Sequence, residues 1–364
     1  MTELTTPTPP SAELVGLLKK LTSHPDDFTT ADLTQSLEEV FSGRSSAAQT
    51  SALLVALALT KVDQRPEAIA GAAETLLRHA VPVDVAPHAT WRQRVVDIVG
   101  TGGDGHNTFN VSTSAAIVAA GAGCKVAKHG SRSSTSNSGS ADLLEAFGCN
   151  LMNFPLRDLA AHLERANFCF LFAPRFHPQM GRVAAIRKEI GTRTIFNVLG
   201  PLINPVTPRR LIVGVHSPYL GPIMAEALRL NGVQHGMVVC GAEGLDEISP
   251  AGPTHVWTIY EDAVVSSTVH PDDFGLPVHP LSAVKGESGT ANAQYLKRIL
   301  NGEVPNSPIV DFILLNASAL LVVAGMATSY ADGVNLARES ITSGRARAAL
   351  EEFATFTQHE TAEA

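Results

Sequence analysis

The sequence has little of what several protein classes require. Of its 364 residues, 5% are aromatic, 17% are charged and only four are cysteines. Cys124, Cys149, Cys169 and Cys240 stand far apart, with no C-x-x-C pair and no histidine at zinc-ligand spacing. We therefore expect buried, reduced thiols, with neither a disulfide framework nor a zinc site.

No apolar run is long enough to cross a membrane. The best candidate, Ile309 to Ala327, is interrupted by Asp311, Asn316 and Ser318, and falls short of the roughly 20 clean apolar residues that a spanning helix needs. The first residues, MTELTTPTPPSAELVG, carry an acid where a signal peptide has a base, and no apolar run follows. The sequence predicts a cytoplasmic protein without a membrane partner.

Positive charge is also in short supply. The chain has 27 Lys plus Arg against 35 Asp plus Glu, a formal net charge of −8. A broad surface for a polyanion such as a nucleic acid is therefore not expected, and an anionic ligand would need a local cationic pocket. The expected ligand is small.

Apolar residues are abundant, at 45%, and their spacing predicts two kinds of architecture. From Ser11 to about Ala80 they recur at helical spacing, which predicts four helices and no strand. Beyond the buried strand predicted at Arg94 to Val99, strand-like and helical stretches alternate, which predicts a mostly parallel sheet covered by helices on both faces. The predicted strands are Cys124 to Ala127, Phe168 to Phe172, Leu211 to Val215 and Gly236 to Val239, and the predicted helices are 112–122, 139–148, 156–166, 218–231, 289–301, 308–327 and 334–357.

Segment 178–205 interrupts this alternation. Glycines and prolines punctuate two short amphipathic pieces, Arg182 to Ile190 and Thr194 to Leu199. We expect this segment to leave the sheet and to pack elsewhere.

A glycine-rich loop follows the first predicted strand. Gly100-Thr-Gly-Gly-Asp-Gly105 fits G-x-G-x-x-G, so an NADP-dependent enzyme has to be considered. Six residues separate the loop from the next helix, however, and the following strand ends in Lys128 rather than in an acid. Glycine N–H groups form a site for anions, and we expect Ser112, within Asn110-Val-Ser-Thr113, to cap the helix.

A second polar segment follows the second predicted strand. Residues 128–140 contain no large apolar side chain, but they stand between a buried strand and an amphipathic helix, where open α/β sheets bind ligands. Lys128 and Arg132 supply charge, and seven hydroxyls supply hydrogen bonds. This composition favours a phosphorylated ligand over a solvated linker.

Seven motifs follow one another along the chain. They are Gly100-Thr-Gly-Gly-Asp104, Asn110-x-Ser-Thr113, Lys128-His-Gly-x-Arg132, Gly139-Ser-Ala-Asp142, Phe172-Ala-Pro-Arg-Phe-His-Pro178, Phe196-Asn-x-Leu-Gly-Pro-Leu-x-Asn-Pro205 and Gly244-Leu-Asp-Glu247. Together they resemble, in the same order, the motifs of the anthranilate phosphoribosyltransferase family of tryptophan biosynthesis, and the resemblance spans roughly residues 10–355. The segments GHNTFNVST and KHGSRSSTS are most similar to those of fungal members.

The resemblance implies a fold of the nucleoside phosphorylase/phosphoribosyltransferase type. A small helical domain at 1–88 would be completed by helices from about 178–204. The α/β domain would comprise 89–177 and 205–364 and would bind phosphoribosyl pyrophosphate. The active site would lie between the two domains, and the chain would form a homodimer.

The resemblance also implies the reaction and its residues. Anthranilate would accept a 5-phosphoribosyl group from phosphoribosyl pyrophosphate, with Mg²⁺ as cofactor and pyrophosphate as product. The implied phosphoribosyl pyrophosphate ligands are Gly100, Gly103, Asp104, Thr108, Asn110, Ser112, Thr113, Lys128, Arg132, Ser133, Ser134, Thr135, Ser136 and Ser140. The implied Mg²⁺ ligands are Ser112, Asp246 and Glu247.

Anthranilate would meet residues from both polar segments and from segment 178–205. Arg187 would meet its carboxylate, because a planar guanidinium suits a carboxylate. Many family members have Asn where this chain has Ser131, so we expect Ser131 or a water to take its place. The implied anthranilate contacts are Gly100, His129, Ser131, His177, Met180, Arg187 and Pro201, with Pro178 and Gly200 as further walls.

The sequence shows no nucleophile–histidine–acid set, and the implied reaction requires none, because the amine of anthranilate is uncharged at neutral pH. The barrier is the departure of a highly charged group while positive charge builds on the ribose carbon. A pyrimidine nucleoside phosphorylase and a nucleic-acid-binding relative of the fold both remain open on the sequence alone.

Overall fold

The computed structural model describes residues 10–83, 90–133, 137–260 and 262–358. The chain divides into two compact units. One takes in the chain up to Val81 together with Pro174–Ile203, and the other takes in Pro82–Ala173 and the chain from Asn204 onward. The first division predicted from sequence, between residues 88 and 89, lies outside the described residues. The others were predicted at 177/178 and 204/205.

Fifteen α-helices and seven strands occur within these ranges. The helices are α1 (Ala12–Ser23), α2 (Thr30–Phe41), α3 (Ala47–Leu59), α4 (Pro66–Arg78), α5 (Val111–Gly121), α6 (Ser140–Ala146), α7 (Leu159–Arg165), α8 (Ala173–Phe176), α9 (Met180–Ile190), α10 (Phe196–Leu199), α11 (Leu220–Leu230), α12 (Gly289–Leu300), α13 (Pro308–Val323), α14 (Tyr330–Thr342) and α15 (Arg345–Thr357). The strands are β1 (Val96–Gly100), β2 (Val126–Gly130), β3 (Phe168–Phe172), β4 (Arg210–Gly214), β5 (His235–Gly241), β6 (Thr254–Tyr260) and β7 (Ala263–Val269).

The first unit is helical. Side-chain caps define where its helices begin: Thr29 with Asp32 and Ser46 with Gln49 form capping boxes at α2 and α3. The four helices predicted from sequence are confirmed, and the described residues 10–83 contain no strand. Segment 174–203 contributes α9, which contacts α2 and α3, and α10, which contacts α4. The prediction that segment 178–205 packs away from the sheet is therefore confirmed.

The second unit is built on one sheet with the strand order β3-β2-β1-β4-β5-β6-β7. Strands β1 to β5 are parallel and β6 and β7 are antiparallel, so the predicted mostly parallel sheet is confirmed. Helices α5, α13 and α15 contact the parallel strands, and α11 contacts β5 and β6. The residues of β1 and β3 are almost entirely buried, because helices cover the parallel part of the sheet.

Three sequence predictions about elements were wrong. The strand predicted at Cys124 to Ala127 begins only at Val126. The helix predicted at 334–357 is two helices, α14 and α15, because Gly344 adopts a left-handed φ of +78° between them. Strands β6 and β7 were missed, because their alternating, partly exposed residues form no continuous apolar run.

The described cysteines are free and buried, as predicted, and burial raises the pKa of the Cys124 thiol to about 12. No helix in the described ranges has the length and apolar content needed to cross a membrane. The apolar helix α13 has 16 residues, or about 24 Å of helix against a hydrocarbon core of about 30 Å.

Candidate active site

The carboxyl ends of β1 and β4 meet at the point where the strand order of the sheet reverses. The chain runs outward from β1 through β2 to β3, and then returns to β4 on the other side of β1. Gly100 and Gly214 pair at the ends of these two strands, and the Thr101 N–H donates to the Gly214 carbonyl at 2.9 Å. In open α/β sheets this reversal creates the crevice where ligands bind.

Asp246 lies directly against both strand ends. A Cβ on Gly214 would overlap the Asp246 backbone oxygen, and a Cβ on Gly100 would overlap its carboxylate. The Gly102 N–H donates to Asp246 Oδ2 at 2.7 Å. Gly100 is therefore glycine because a carboxylate approaches the backbone closely, a reason that the motif alone does not give.

Three acidic side chains gather at this point. The Asp246 N–H faces Asp104 Oδ2 at 3.5 Å, and Glu247 follows directly. Burial, with the charge of Asp104 as the next cause, raises the pKa of Asp246 to about 7. Burial and the neighbouring charges of Asp246 and Asp104 raise the pKa of Glu247 well above its usual value, against the opposing effects of Lys128 and a hydrogen bond with Ser112. Burial and the neighbouring carboxylates thus both disfavour the charged forms of these acids.

Lys128 stands between this acidic group and a second buried acid. It is 1% exposed, and its ammonium donates to the Ile98 carbonyl. Burial lowers the pKa of Lys128, while Asp97, Glu247 and Asp246 raise it. The predicted cation is therefore placed to balance carboxylates, and a direct contact with substrate stays a prediction.

Asp97 is a site-supporting residue that the sequence analysis did not single out. Asp97 is fully buried in β1, and its Oδ2 accepts from Asn204 Nδ2 at 2.9 Å and from the His129 N–H at 3.3 Å. Asn204 also donates to the Ala127 carbonyl at 2.8 Å. The signal that would have revealed this network is an acid within an otherwise apolar strand.

The helix that follows the glycine loop begins differently from the prediction. The N-cap of α5 is Asn110, without a side-chain capping bond, and not Ser112, which lies in the first turn and hydrogen-bonds Glu247. Thr113 is 1% exposed, and its hydroxyl has no hydrogen-bond partner among the residues that the structure describes. A buried, unsatisfied hydroxyl at a helix N-terminus suits an anionic ligand.

The side chain of Asn110 joins three chain segments. Its Nδ2 donates to the Ser138 carbonyl at 2.9 Å, while its Oδ1 accepts from Ser138 Oγ at 3.0 Å and from Asn292 Nδ2 at 2.8 Å. Both predicted polar segments are thereby linked, and Asn292 of α12 was not foreseen. Its contact depends on residues far apart in the chain, so no local pattern points to it.

Asp142 fixes the second polar segment, because its Oδ2 accepts from the Gly139 N–H at 2.7 Å and from the Ser133 N–H at 3.0 Å. Ser140 is the first residue of α6. The Arg132 guanidinium pairs with Glu145 at 2.5 Å and lies 4.8 Å from the centre of the Phe172 ring. Arg132 is therefore engaged with protein groups. The predicted contacts Ser134, Thr135 and Ser136 lie outside the described residues.

The remaining candidates of the second polar segment differ in exposure. His129 is 2% exposed and sits in β2, whereas Ser131 is exposed just beyond the strand. The Ser131 carbonyl accepts from the Ala141 N–H at 3.2 Å. Roles for these two residues toward anthranilate stay predictions.

Within the helical unit, Arg187 of α9 is the candidate best suited to a carboxylate. Its guanidinium lies 5.7 Å from the centre of the Phe196 ring, and burial lowers its pKa. In the described part of the chain it forms no ion pair. A half-buried arginine of this kind has charge to offer a ligand.

His177 links the two ends of segment 174–203 in the helical unit. Its Nε2 contacts the Ile203 carbonyl at 2.8 Å, and burial lowers its pKa to about 4, so the ring is neutral at pH 7. Met180 is partly buried at the start of α9, Pro201 is buried, and Pro178 is exposed. Whether these residues line a pocket for anthranilate stays a prediction.

Comparisons with known proteins agree with this arrangement. The model of the glycosyl transferase family a/b domain matches residues 92–347, and that of the glycosyl transferase family helical bundle domain matches residues 15–80. An anthranilate phosphoribosyltransferase of Schizosaccharomyces pombe is 46% identical over 323 residues, which cover 88% of this chain and 91% of that protein.

Solved structures are also similar. Anthranilate phosphoribosyltransferase from Saccharomyces cerevisiae in complex with PRPP (phosphoribosyl pyrophosphate) and Mg has a TM-score of 0.88 and 39% identity, over 95% of this chain and 98% of that one. The same enzyme in complex with 4-fluoroanthranilate has a TM-score of 0.87 and 37% identity, with the same coverage.

Proposed function

This chain belongs to the anthranilate phosphoribosyltransferase family, and from that premise we propose which of its residues perform each part of the reaction. The enzyme transfers the 5-phosphoribosyl group of phosphoribosyl pyrophosphate to the amine of anthranilate, in tryptophan biosynthesis. The bond between the ribose carbon and the pyrophosphate oxygen breaks, a carbon–nitrogen bond forms, and the amine releases a proton to water.

The glycine loop and the start of α5 bind the phosphoribosyl pyrophosphate in this proposal. Gly102, Gly103 and Gly105 adopt left-handed φ values of +72°, +78° and +79°, which turn the loop tightly beyond β1. The unsatisfied Thr113 hydroxyl and the first N–H groups of α5 are suitable donors to phosphate oxygens. The observation that carries the proposal is the meeting of this loop with Asp246 at the reversal of the strand order.

Asp246, Glu247 and Ser112 fit a magnesium ion. Hard oxygen ligands suit Mg²⁺, and a bound cation would stabilise the charged forms of the two acids, whose pKa values are raised by burial and by neighbouring carboxylates. No group of three or more His, Cys, Asp or Glu side chains forms a metal cage within the described ranges. The ion would therefore take further ligands from substrate and water, and when bound it would stabilise charge on the leaving pyrophosphate.

Arg187 orients the acceptor in this proposal. The anthranilate carboxylate would accept hydrogen bonds from the guanidinium, leaving the neighbouring amine free to attack. Because this amine carries a lone pair at neutral pH, it needs no strong general base. The protein accordingly contributes orientation and electrostatic stabilisation rather than a nucleophile.

We also propose a homodimer that forms through the helical unit. Four exposed residues of α3, Ala48, Ala52, Val55 and Leu59, recur at helical spacing and form one apolar stripe. Leu59 is 80% exposed and Val55 is 40% exposed. An apolar helix face of this kind is typical of an isologous interface with a second copy of the chain.

The activity test combines the protein with Mg²⁺, phosphoribosyl pyrophosphate and anthranilate, and follows the loss of anthranilate fluorescence. Omission of either the sugar diphosphate or Mg²⁺ serves as the control. The proposal predicts fluorescence loss in the complete mixture only. Fluorescence loss that persists without phosphoribosyl pyrophosphate, or no loss in any mixture, would contradict it.

Wild-type enzyme and Arg187→Lys are then compared in the same assay. Since lysine keeps the charge but loses the planar fork, the proposal predicts a higher KM for anthranilate with little change in the KM for phosphoribosyl pyrophosphate. The matched control is Arg182→Lys, an exposed arginine on the same helix. An unchanged anthranilate KM in Arg187→Lys would remove this residue from the acceptor site.

A further inference from the structure

A third chain segment lies against the residues that connect the glycine loop with α5. Residues 107–109 and 284–286 form a short antiparallel bridge: the Phe109 N–H donates to the Val284 carbonyl at 2.9 Å and the Gly286 N–H donates to the Asn107 carbonyl at 2.8 Å. A Cβ at Gly286 would overlap the Thr108 carbonyl oxygen. The second segment is thus fixed against the first through backbone groups.

Thr108 and Lys285 are the paired residues of this bridge. Directly opposed residues of antiparallel strands project from the same face, while their neighbours along each strand project from the other. Phe109 is 3% exposed and Val284 is fully buried, so the other face is the inner one. Lys285 therefore extends outward beside Thr108, for which the family resemblance implies a contact with phosphoribosyl pyrophosphate.

A multiply charged diphosphate would need cationic side chains in addition to the proposed Mg²⁺. Asp104, Asp246 and Glu247 place negative charge where a multiply charged diphosphate is to bind. The two cations predicted from sequence are engaged elsewhere, since the ammonium of Lys128 donates to a backbone carbonyl and Arg132 pairs with Glu145. Lys285 is exposed, and nothing in the described ranges hydrogen-bonds or ion-pairs with its side chain.

Asn292 fixes the far end of the same segment. It is 3% exposed; its Oδ1 accepts from the Glu287 N–H at 2.9 Å, and its Nδ2 donates to Asn110 Oδ1 at 2.8 Å. Residues 284–292 are therefore held at both ends against residues 107–110, which connect the glycine loop with α5. A cation carried by such a segment is held near its ligand at a low cost in conformational entropy.

We propose that Lys285 is a phosphate-binding residue of the phosphoribosyl pyrophosphate site, held in place by the bridge to Thr108 and by Asn292. This inference rests on the proposed function, because it names a further residue for the same substrate. The ammonium would contact phosphate oxygens and would make no contact with anthranilate.

The test compares wild-type enzyme with Lys285→Met and Lys285→Arg by steady-state kinetics in both substrates. Lys285→Met keeps an unbranched side chain one atom shorter and removes its charge, so we expect the KM for phosphoribosyl pyrophosphate to rise about tenfold. The kcat and the KM for anthranilate should stay within twofold. Lys285→Arg should restore the KM to within about threefold of wild type. Lys297→Met, at an exposed lysine of α12, is the matched control.

The possible outcomes separate this inference from the proposed function. A wild-type enzyme without transfer activity rejects the proposed function itself. An active wild type, together with a Lys285→Met variant whose KM for phosphoribosyl pyrophosphate is within twofold of normal, rejects the role of Lys285 alone. A Lys285→Arg variant as impaired as Lys285→Met also overturns it, because retained charge would then have no effect.

Discussion

Asp246 and Glu247 are adjacent acids that contact two different segments of the candidate site. The Asp246 carboxylate accepts a hydrogen bond from the Gly102 N–H and so shapes the glycine loop. Glu247 hydrogen-bonds Ser112 in the first turn of α5 and faces the charge of Lys128. In the proposed function each acid would bind the cation, and each also fixes a segment that would approach the diphosphate.

The substitution Glu247→Gln tests the electrostatic part of this account. Glutamine keeps the shape of the side chain but removes its charge, so we expect kcat to fall by on the order of 10²-fold. The assay is initial-rate kinetics across a range of Mg²⁺ concentrations. Glu226→Gln, which disrupts a surface pair with Arg229 on α11, is the matched control and should leave the rate unchanged. Near-normal turnover in Glu247→Gln would reject the metal-binding role.

Ser131 is the position where this chain departs from the family motif. It is exposed beyond β2, and its hydroxyl has no hydrogen-bond partner in the ranges that the structure describes. We expect Ser131→Ala to raise the KM for anthranilate about fivefold, as befits the loss of one hydrogen bond, and to leave the KM for the sugar diphosphate unchanged. Ser343→Ala, at the end of α14, is the control. Unchanged kinetics in both substrates would exclude Ser131 from the site.

At the scale of elements, the segments that follow β1 and β2 are linked through the side-chain amide of Asn110. Asn110 connects the start of α5 with Ser138 of the second polar segment and with Asn292 of α12. Two helices and two loops thus share one hydrogen-bond network. We therefore expect the geometry of the proposed diphosphate site to depend on α12, although no residue of this helix was predicted to belong to it.

Asn292→Asp tests this link by changing a single donor. The carboxylate still accepts from the Glu287 N–H, but it presents an acceptor to Asn110 Oδ1 in place of a donor. We expect the KM for phosphoribosyl pyrophosphate to rise about tenfold, with the KM for anthranilate unchanged. Asn301→Asp, at the other end of α12, controls for the added charge. A folded Asn292→Asp protein with normal kinetics would show that α12 does not position the site.

Local sequence pattern predicted the elements that are buried and regular. Strand β3 was predicted with its observed bounds, because five consecutive apolar residues are enclosed on both faces. Strands β6 and β7 were missed because part of each is solvent-exposed. The last helix was predicted as continuous because its apolar periodicity continues across Gly344. The left-handed backbone of Gly344 separates α14 from α15.

At the scale of the molecule, the sequence predicted which loops would form the site but not which contacts hold these loops in place. Residues after β1 and β2 and the acidic pair Asp246-Glu247 were identified because glycines, hydroxyls and acids follow apolar strands. Asp97 and Asn292 were not identified, and Asn204 was quoted within a motif but given no role, because each acts through partners distant in sequence. Such contacts depend on the completed fold, which no local pattern encodes.

The homodimer is a prediction at this scale as well. Because Val55 and Leu59 lie on one apolar face of α3, we expect the double variant Val55→Glu/Leu59→Glu to be monomeric, while the wild type is dimeric. Light scattering after gel filtration gives the mass directly. Val265→Glu, at a 51% exposed residue of β7, is the control. A monomeric wild type, or a double variant that stays dimeric, would reject this interface.

The central claim is that the glycine loop, the second polar segment and the acidic pair bind one magnesium-bound sugar diphosphate. A crystal structure of the wild-type protein with phosphoribosyl pyrophosphate and Mg²⁺ tests it most directly. The account predicts diphosphate density beside Gly102–Gly105 and the first turn of α5, with the ion near Glu247. Density for the compound at any other surface, with these segments unoccupied, would contradict it.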